Sequence, residues 1–222
     1  MHRKKLAIAL SRIPDHPSPK SRLEQVRTPG MLAADVLLLA AEEGDIAGRR
    51  VLDPGCGTGV FTIGAALLDA ETAVGFDTDS EALAVARDAA ADASVADRVH
   101  FQEVDVVDAD PALLAAEAGL PAQNGRPFDT VVMNPPFGAD LTSRKSGGDR
   151  VFLSLAFRAA EAVYSLHLAR TEVFLVAFAR DAGRSVERIA VVPFPLKARF
   201  AHHKEAVRDA EVGVYRFLPT DG

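Results

Sequence analysis

The sequence predicts an α/β fold in which seven strands make one mostly parallel sheet with helices on both faces. Three observations carry that prediction. From Arg49 onward, short apolar strand-like runs alternate with helical patterns, the signature of a doubly wound sheet. The last two runs, Ile189–Val192 and Val212–Phe217, suit an antiparallel hairpin that closes one sheet edge. At 222 residues the chain can bury one sizeable core, and no shift in composition divides it into two large domains.

Taken in order, Arg50–Asp53, Ala73–Asp77, Val99–Val104 and Thr130–Met133 read as strands, with helices over Val60–Leu68, Ser80–Asp92 and Pro111–Gly119. Ser80 is the expected N-cap of the second helix, because its hydroxyl can accept an orphan amide of the first turn. Arg150–Leu166 reads as a helix running into a strand whose extended part is Val163–Leu166. Val173–Phe178 has strand-like composition, but Thr171, Glu172 and Gly183 look like helix boundaries and the alternation calls for a helix there. Pro193 and Pro195 are expected in the loop between the two final strands. Ahead of the sheet domain (46–222), residues 1–45 form a helical extension. Its apolar helix Met31–Ala41 starts from Thr28 as N-cap and Pro29 at the first helical position.

Composition excludes several classes of function. No apolar run is long enough to span a bilayer, and Arg12 interrupts the short run Leu6–Leu10 that follows the basic N-terminus, which argues against a signal peptide. Cys56 stands alone, so there is no intrachain disulfide and no all-cysteine zinc site, which suits a reducing cytoplasm. The pair His202–His203 lacks further ligands at metal-binding spacing, so no metal is expected. With a formal charge of −6 the fold does not attract nucleic acid as a whole, and any RNA contact must use local patches. Arg3–Lys5, Arg144–Lys145 with Arg150, and Lys197–Arg199 with His202–Lys204 are the candidates, each of which also reads as an ordinary solvated face.

The segment from Val51 to Gly59, VLDPGCGTG, ends a strand in a glycine-rich turn and leads into a helix. Gly55, Gly57 and Gly59 allow a sharp turn and a close backbone approach to a ligand. Asp77 closes the second strand, where a carboxylate can accept hydrogen bonds from both ribose hydroxyls of a nucleoside cofactor, with Asp79 as the less favoured choice. Asp105 follows the third strand and can receive an adenine amine. The leading Asp53 distinguishes this turn from the dinucleotide form, which leaves a helix N-terminus free for a pyrophosphate. S-adenosylmethionine has no phosphate, and a carboxylate suits its amino acid portion, so that cofactor is the one expected.

After the fourth strand comes Asn134-Pro135-Pro136-Phe137. Two consecutive prolines stiffen the loop and hold Asn134 extended at the carboxyl end of its strand. The Asn134 side-chain carbonyl and the Pro135 main-chain carbonyl can then accept two hydrogen bonds from a planar amine, while Phe137 offers a stacking face. Accepting both protons favours a localised nitrogen lone pair, the form needed for attack on a sulfonium methyl group.

These segments resemble the small-subunit ribosomal RNA adenine-N6 methyltransferases of archaea and eukaryotes, the methyltransferase-like protein five family. The resemblance covers Leu23-Glu24-Gln25 with Thr28, the turn from Gly55 to Val60, Val74 to Asp77, Phe128 to Gly138, Asp149 to Leu153, Ala162 to His167, and the tail from His203-Lys204 to Arg216-Phe217. It implies a Rossmann-like class I methyltransferase and cofactor contact by Gln25, Thr28, Gly55, Thr58, Val60, Asp77 and Asp105. It further implies Asn134–Phe137 as catalytic loop, residues 1–45 as a cofactor lid, and ribosomal RNA contact through Lys197, Arg199, His203 and Lys204. A small zinc-binding activator protein, pairing with the sheet edge near the third strand, is the implied partner. Val26 stands where the family has a tyrosine, and Ala201 and His202 replace a lysine and a phenylalanine. Two other functions stay open: a protein glutamine-N5 methyltransferase, since the same tetrad can hold any planar amide, and a non-catalytic cofactor-binding ribosome-assembly factor.

Overall fold

Strand order follows from where the chain turns back on itself. The computed structural model describes residues 1–20, 25–121, 125–137, 148–196 and 208–220. β1 (Arg50–Pro54), β2 (Thr72–Asp77) and β3 (Val99–Glu103) step outward in one direction, and β4 (Thr130–Met133) and β5 (Ala162–Leu168) step outward on the other side of β1. With β6 (Arg184–Leu196) and β7 (Arg208–Pro219) the seven-stranded order is β3-β2-β1-β4-β5-β7-β6. β1 to β5 are parallel, and β7 runs antiparallel to both β5 and β6. The reversal of direction between β1 and β4 opens a crevice beyond their carboxyl ends, the usual ligand position in such sheets.

Both faces of the sheet are covered, as the uniformly buried β1, β4 and β5 require. Successive strand residues point to opposite faces. Val51, Ala73, Val132 and Tyr164 enter one apolar cluster, shared with α1 (Arg3–Ser11), α2 (Gly30–Glu42) and α3 (Val60–Leu67). Leu52, Val74, Val131 and Val163 enter the other, beneath α5 (Pro111–Glu117), α6 (Asp149–Ala159) and α7 (Glu172–Asp181). Each such leucine or valine, fully withdrawn from water, contributes about 1.5–3 kcal/mol. The helix α4 (Ser80–Asp92) joins the first cluster through Ala89 and Ala90. The N-terminal helices share this core: Leu6 and Leu10 of α1 are fully buried.

Four local expectations are corrected. α2 begins at Gly30, with Pro29 in the capping position and no side-chain cap, because the Thr28 hydroxyl is engaged elsewhere. The N-cap of α4 is Asp79, whose carboxylate accepts from the Glu81 amide; Ser80 is already helical. Thr171 precedes α7 without capping it, since its hydroxyl donates to the Leu168 carbonyl at 2.7 Å. Pro193 and Pro195 do not lie in a loop but inside β6, opposite Glu211 and Asp209. β6 is an edge strand, and a proline without an N–H is tolerated where one side of the strand has no ladder partner. The composition of 173–178 misleads, for α7 is helical. No helix of the described residues is long and apolar enough to cross a membrane.

Candidate cofactor and target site

A cleft of about 310 Å³ opens at the reversal point beyond β1 and β4. Its floor is the turn after β1. Gly55, Gly57 and Gly59 all have left-handed φ angles, 69°, 53° and 82°, which L side chains rarely adopt. Space is short there as well, but the crowding comes from the protein itself. A Cβ on Gly55 would lie 3.0 Å from the Phe152 ring, one on Gly57 2.8 Å from His16, and one on Gly59 3.0 Å from Phe101. Gly59 does not line the cleft; it is the residue before α3, packed on Phe101 and Ala86. The glycines therefore serve turn geometry and internal packing before any close approach of a ligand.

Three carboxylates lie along the cleft wall. Asp53 is buried at the end of β1, where its Oδ2 accepts from both the amide and the hydroxyl of Thr62, at 3.0 and 2.7 Å. Burial pushes its carboxyl up to about 7, against the opposing pull of the Thr62 hydrogen bonds. Asp77 closes β2 and accepts from the Gly57 amide at 2.9 Å and the Asp79 amide at 3.0 Å, so it braces the glycine turn. Burial raises its pKa too, and these two amides with nearby His16 partly offset that. Asp105, beyond β3, is exposed and accepts from the Val107 amide at 3.0 Å. Around it Val104, Val106 and Val107 form an apolar bed. The buried Thr58 hydroxyl in the cleft has no hydrogen-bond partner.

Asp79, the second choice for the ribose, is committed otherwise. It is buried, and its two oxygens receive the Lys20 ammonium at 2.7 Å and the Gln25 amide at 2.5 Å. Burial works to raise its pKa, but these two donors and the Lys20 charge outweigh it and hold the carboxyl below its ordinary value. The Lys20 amide in turn donates to the Gln25 carbonyl oxygen at 2.7 Å. This clamp ties Lys20 and Gln25 to the start of α4, and His16, Gln25, Val26, Arg27 and Thr28 line the cleft.

Asn134, Pro136, Gly148 and Phe152 also line the cleft. The Asn134 Nδ2 donates to the Thr28 hydroxyl at 3.1 Å, across 106 residues of sequence. Its Oδ1 is buried and has no partner among the described residues. Pro135 is buried and is not a lining residue. Phe137 is half-buried, packed edge-on against Phe194 of β6 with ring centroids 5.6 Å apart, and does not line the cleft either. The structure thus gathers Gln25, Thr28, Asp53, Gly55, Gly57, Thr58, Val60, Asp77, Asp105, Asn134 and Pro136 around one cleft, and leaves Gly59, Pro135 and Phe137 off its surface. Lys197, Arg199, His203 and Lys204, and the Arg144–Lys145 pair, lie outside the described residues. Sequence reasoning missed His16, the valines after β3, Phe152 and the Lys20–Asp79 pair. Only the apolar run Val104-Asp105-Val106-Val107 carried a local signal.

The Thr58 hydroxyl, without a partner among the described residues, and the desolvated Asp53 carboxylate fit a ligand that brings hydrogen-bond donors and a positive charge, as S-adenosylmethionine does. A family model described as Ribosomal protein L11 methyltransferase (PrmA) matches residues 34–134, from α2 to the first residue of the tetrad. Over nearly its whole length the chain is similar to rRNA N(6)-adenosine-methyltransferase METTL5 of Danio rerio, 36% identical across 99% of this chain and 100% of that protein. The corresponding Drosophila melanogaster protein is 34% identical across 96% and 95%. The crystal structure of a Pyrococcus horikoshii protein superposes with a TM-score of 0.80 and 35% identity, covering 100% of this chain and 99% of its own. On that full-length similarity, carried by a Rossmann-like sheet and an intact Asn-Pro-Pro-Phe loop, this chain belongs to the METTL5 family of S-adenosylmethionine-dependent methyltransferases.

Proposed function

We propose that this enzyme methylates the exocyclic N6 amine of an adenine in small-subunit ribosomal RNA, and that it does so in the cytoplasm. The observation that supports this most is the state of Asn134. Its amide nitrogen is held by Thr28, which leaves the carbonyl oxygen buried, oriented and unpartnered at the cleft wall. An acceptor left open in that way suits a planar N–H donor. The METTL5 relatives of Danio rerio and Drosophila melanogaster, named for N(6)-adenosine in ribosomal RNA, supply the substrate class. The PrmA-like match ends at Asn134 and so covers the cofactor side of the cleft without the segments beyond the tetrad.

When bound, S-adenosylmethionine supplies an electrophilic sulfonium methyl group. Asp77 takes the ribose hydroxyls and Asp105 the adenine amine, over the bed of Val104, Val106 and Val107. Asp53 would face the positively charged end of the amino acid portion, the Thr58 hydroxyl would add a polar contact, and Gly55, Gly57 and Val60 shape the floor, with Gly59 setting the turn behind it. Residues 1–45, tied down by Lys20 and Gln25 on Asp79, act as lid. On the target side Asn134 Oδ1 accepts one amine proton and the Pro135 carbonyl the other, with Pro136 and Phe137 stiffening and flanking the loop. Those bonds strengthen as positive charge develops on the nitrogen, so they count for more in the transition state than in the ground state. Holding the amine in line with the transferable methyl group would supply further acceleration by proximity. Lys197, Arg199, His203 and Lys204 reach the RNA backbone. A zinc-binding activator protein pairs with the free edge at β3, beside which Val107 and Leu113 are exposed.

Incubation of the enzyme with labelled cofactor, small-subunit ribosomal RNA fragments and glutamine-containing peptides tests the target. Label on adenine N6 is the expected outcome. Label on peptide with RNA untouched overturns it and leaves the methyltransferase assignment standing.

The raised pKa of Asp53 gives a pH dependence with a definite sign. A carboxyl raised from its ordinary value to about 7 is protonated in the ligand-free fold at pH 5 and ionised above pH 7. In the ligand-free protein this group favours the fold most at low pH, and that contribution is lost as pH rises from about 4 to 7. Cofactor affinity moves oppositely, strengthening between pH 5 and 7 as the carboxylate forms beside the cofactor ammonium, by up to about tenfold per pH unit. Calorimetric titration of wild type and Asp53→Asn checks this: the variant should bind weakly and with a flat profile. A wild-type affinity independent of pH over that range removes Asp53 from the ammonium site.

A further inference from the structure

Ser165, His167 and Asp149 form a hydrogen-bonded chain that the transfer chemistry leaves unused. His167 Nε2 lies 2.8 Å from Ser165 Oγ, and Nδ1 lies 3.2 Å from an Asp149 carboxylate oxygen. Ser165 and His167 are two residues apart on β5, hence on one face of the sheet, and both are buried. The rings of Tyr215 and Phe217 pack edge-on around His167, at 6.1 and 6.5 Å between centroids. A carboxylate only accepts hydrogen bonds, so the neutral imidazole carries its proton on Nδ1 and takes the Ser165 hydroxyl proton at Nε2. The residue types are those of a hydrolytic triad, but Ser165 is fully buried and neither it nor His167 lines the cleft.

What the chain holds is the first turn of α6. Asp149 is the first residue of that helix, and its neighbours Gly148 and Phe152 line the same cleft as Asn134 and Pro136. At the other end, Ser165 pairs in register with Met133, the residue before Asn134. One end of the chain therefore sits beside the strand that delivers the catalytic loop, and the other end belongs to the helix start that lines the same cleft. We propose that His167 is a positioning residue: through Asp149 it sets the separation between the first turn of α6 and the Asn134–Pro136 loop, and so the width of the slot that the target base enters. This rests on the proposed target site.

The test compares wild type with His167→Leu, Asp149→Ala and His167→Asn, the last keeping an N–H donor toward Asp149. Asp149 is partly exposed, so Asp149→Ala provides a folded variant should the buried substitution disturb folding. Turnover on the RNA substrate at saturating cofactor should fall about tenfold to a hundredfold in His167→Leu and Asp149→Ala, the range expected for misplacement by a fraction of an ångström to 1 Å. Calorimetric cofactor affinity should remain that of wild type, His167→Asn should recover much of the turnover, and amide exchange should quicken in the first turn of α6. Full turnover in both variants, loss that appears as weakened cofactor binding, or no recovery in His167→Asn each overturns the inference. A wild type that methylates no adenine overturns the proposed target and this inference with it, whereas an active wild type with equally active variants overturns this inference alone.

Discussion

Replacing Asn134 by alanine lowers methyl transfer to RNA by about two orders of magnitude or more while cofactor affinity stays nearly unchanged. The size follows from removing one acceptor that is oriented before the reaction begins, a loss of about 100- to 1000-fold where such groups have been deleted from other active sites. The separation of the two effects follows from geometry. Asn134 spends its nitrogen on Thr28 and keeps a buried, unpartnered oxygen, and no carboxylate of the cleft is bonded to it. Thr28→Val is a graded version of the same experiment. It leaves the acceptor in place but frees the amide to rotate, so turnover should drop by about tenfold, the equivalent of roughly 1.4 kcal/mol of lost orientation. Single-turnover rates with saturating RNA, alongside calorimetry, measure both. If Asn134→Ala weakens cofactor binding as much as it slows transfer, the side chain belongs to the cofactor and the target amine must be held by something else.

The reach of sequence reasoning is clearest in this pair. The strand before Asn134 and the stiff Pro135-Pro136 loop are local patterns, legible from three apolar residues after a threonine and from two fixed φ angles. So are the glycine turn and the acid at the end of β2. Thr28 was legible as a helix cap and, through the family resemblance, as a cofactor contact, but not as the partner of Asn134, because nothing within a few residues of it reveals a partner 106 positions away. The clamp of Lys20 and Gln25 on Asp79 was hidden for the same reason, and it commits Asp79 to donors of the protein itself. Asp79 also caps α4, which makes Ser80 its first helical residue and not its cap. Pro193 and Pro195 were read as loop residues because a proline excludes a central strand, but whether a strand is central depends on sheet order, which one segment does not contain. Phe137 was read from its motif as a free stacking face, and its edge contact with Phe194 depends on how β6 folds back. Local chemistry thus located the cleft, whereas the assignment of individual polar atoms needed the long-range packing.

Asp77→Ala should abolish measurable cofactor binding yet leave the ligand-free fold almost as stable as before. Its carboxylate, in the proposed role, accepts both ribose hydroxyls, and hydrogen bonds to a charged group contribute about 1.5–3 kcal/mol each. Losing two weakens binding by roughly 100-fold to 10,000-fold. The fold has less to lose, although Asp77 also receives the Gly57 and Asp79 amides. Burial raises its pKa, so the ligand-free site holds the charge at some cost, and removing it relieves that cost while releasing two amides that water at the cleft can reach. The net change should stay near 1 kcal/mol, a shift of about 2–4 °C in the melting midpoint for a chain of this size. Asp77→Asn separates the two roles. One amide oxygen still serves one backbone N–H and one hydroxyl, but the NH₂ group now faces a second backbone donor, so binding should be weak and the turn partly loosened. Calorimetry with S-adenosylmethionine and thermal melts of the three proteins decide between the outcomes. Binding of wild-type strength in Asp77→Ala removes the ribose role from this residue; a melting midpoint lowered by 15 °C or more would mean that the brace on the glycine turn, and not the ribose contact, is what the cofactor site requires of it.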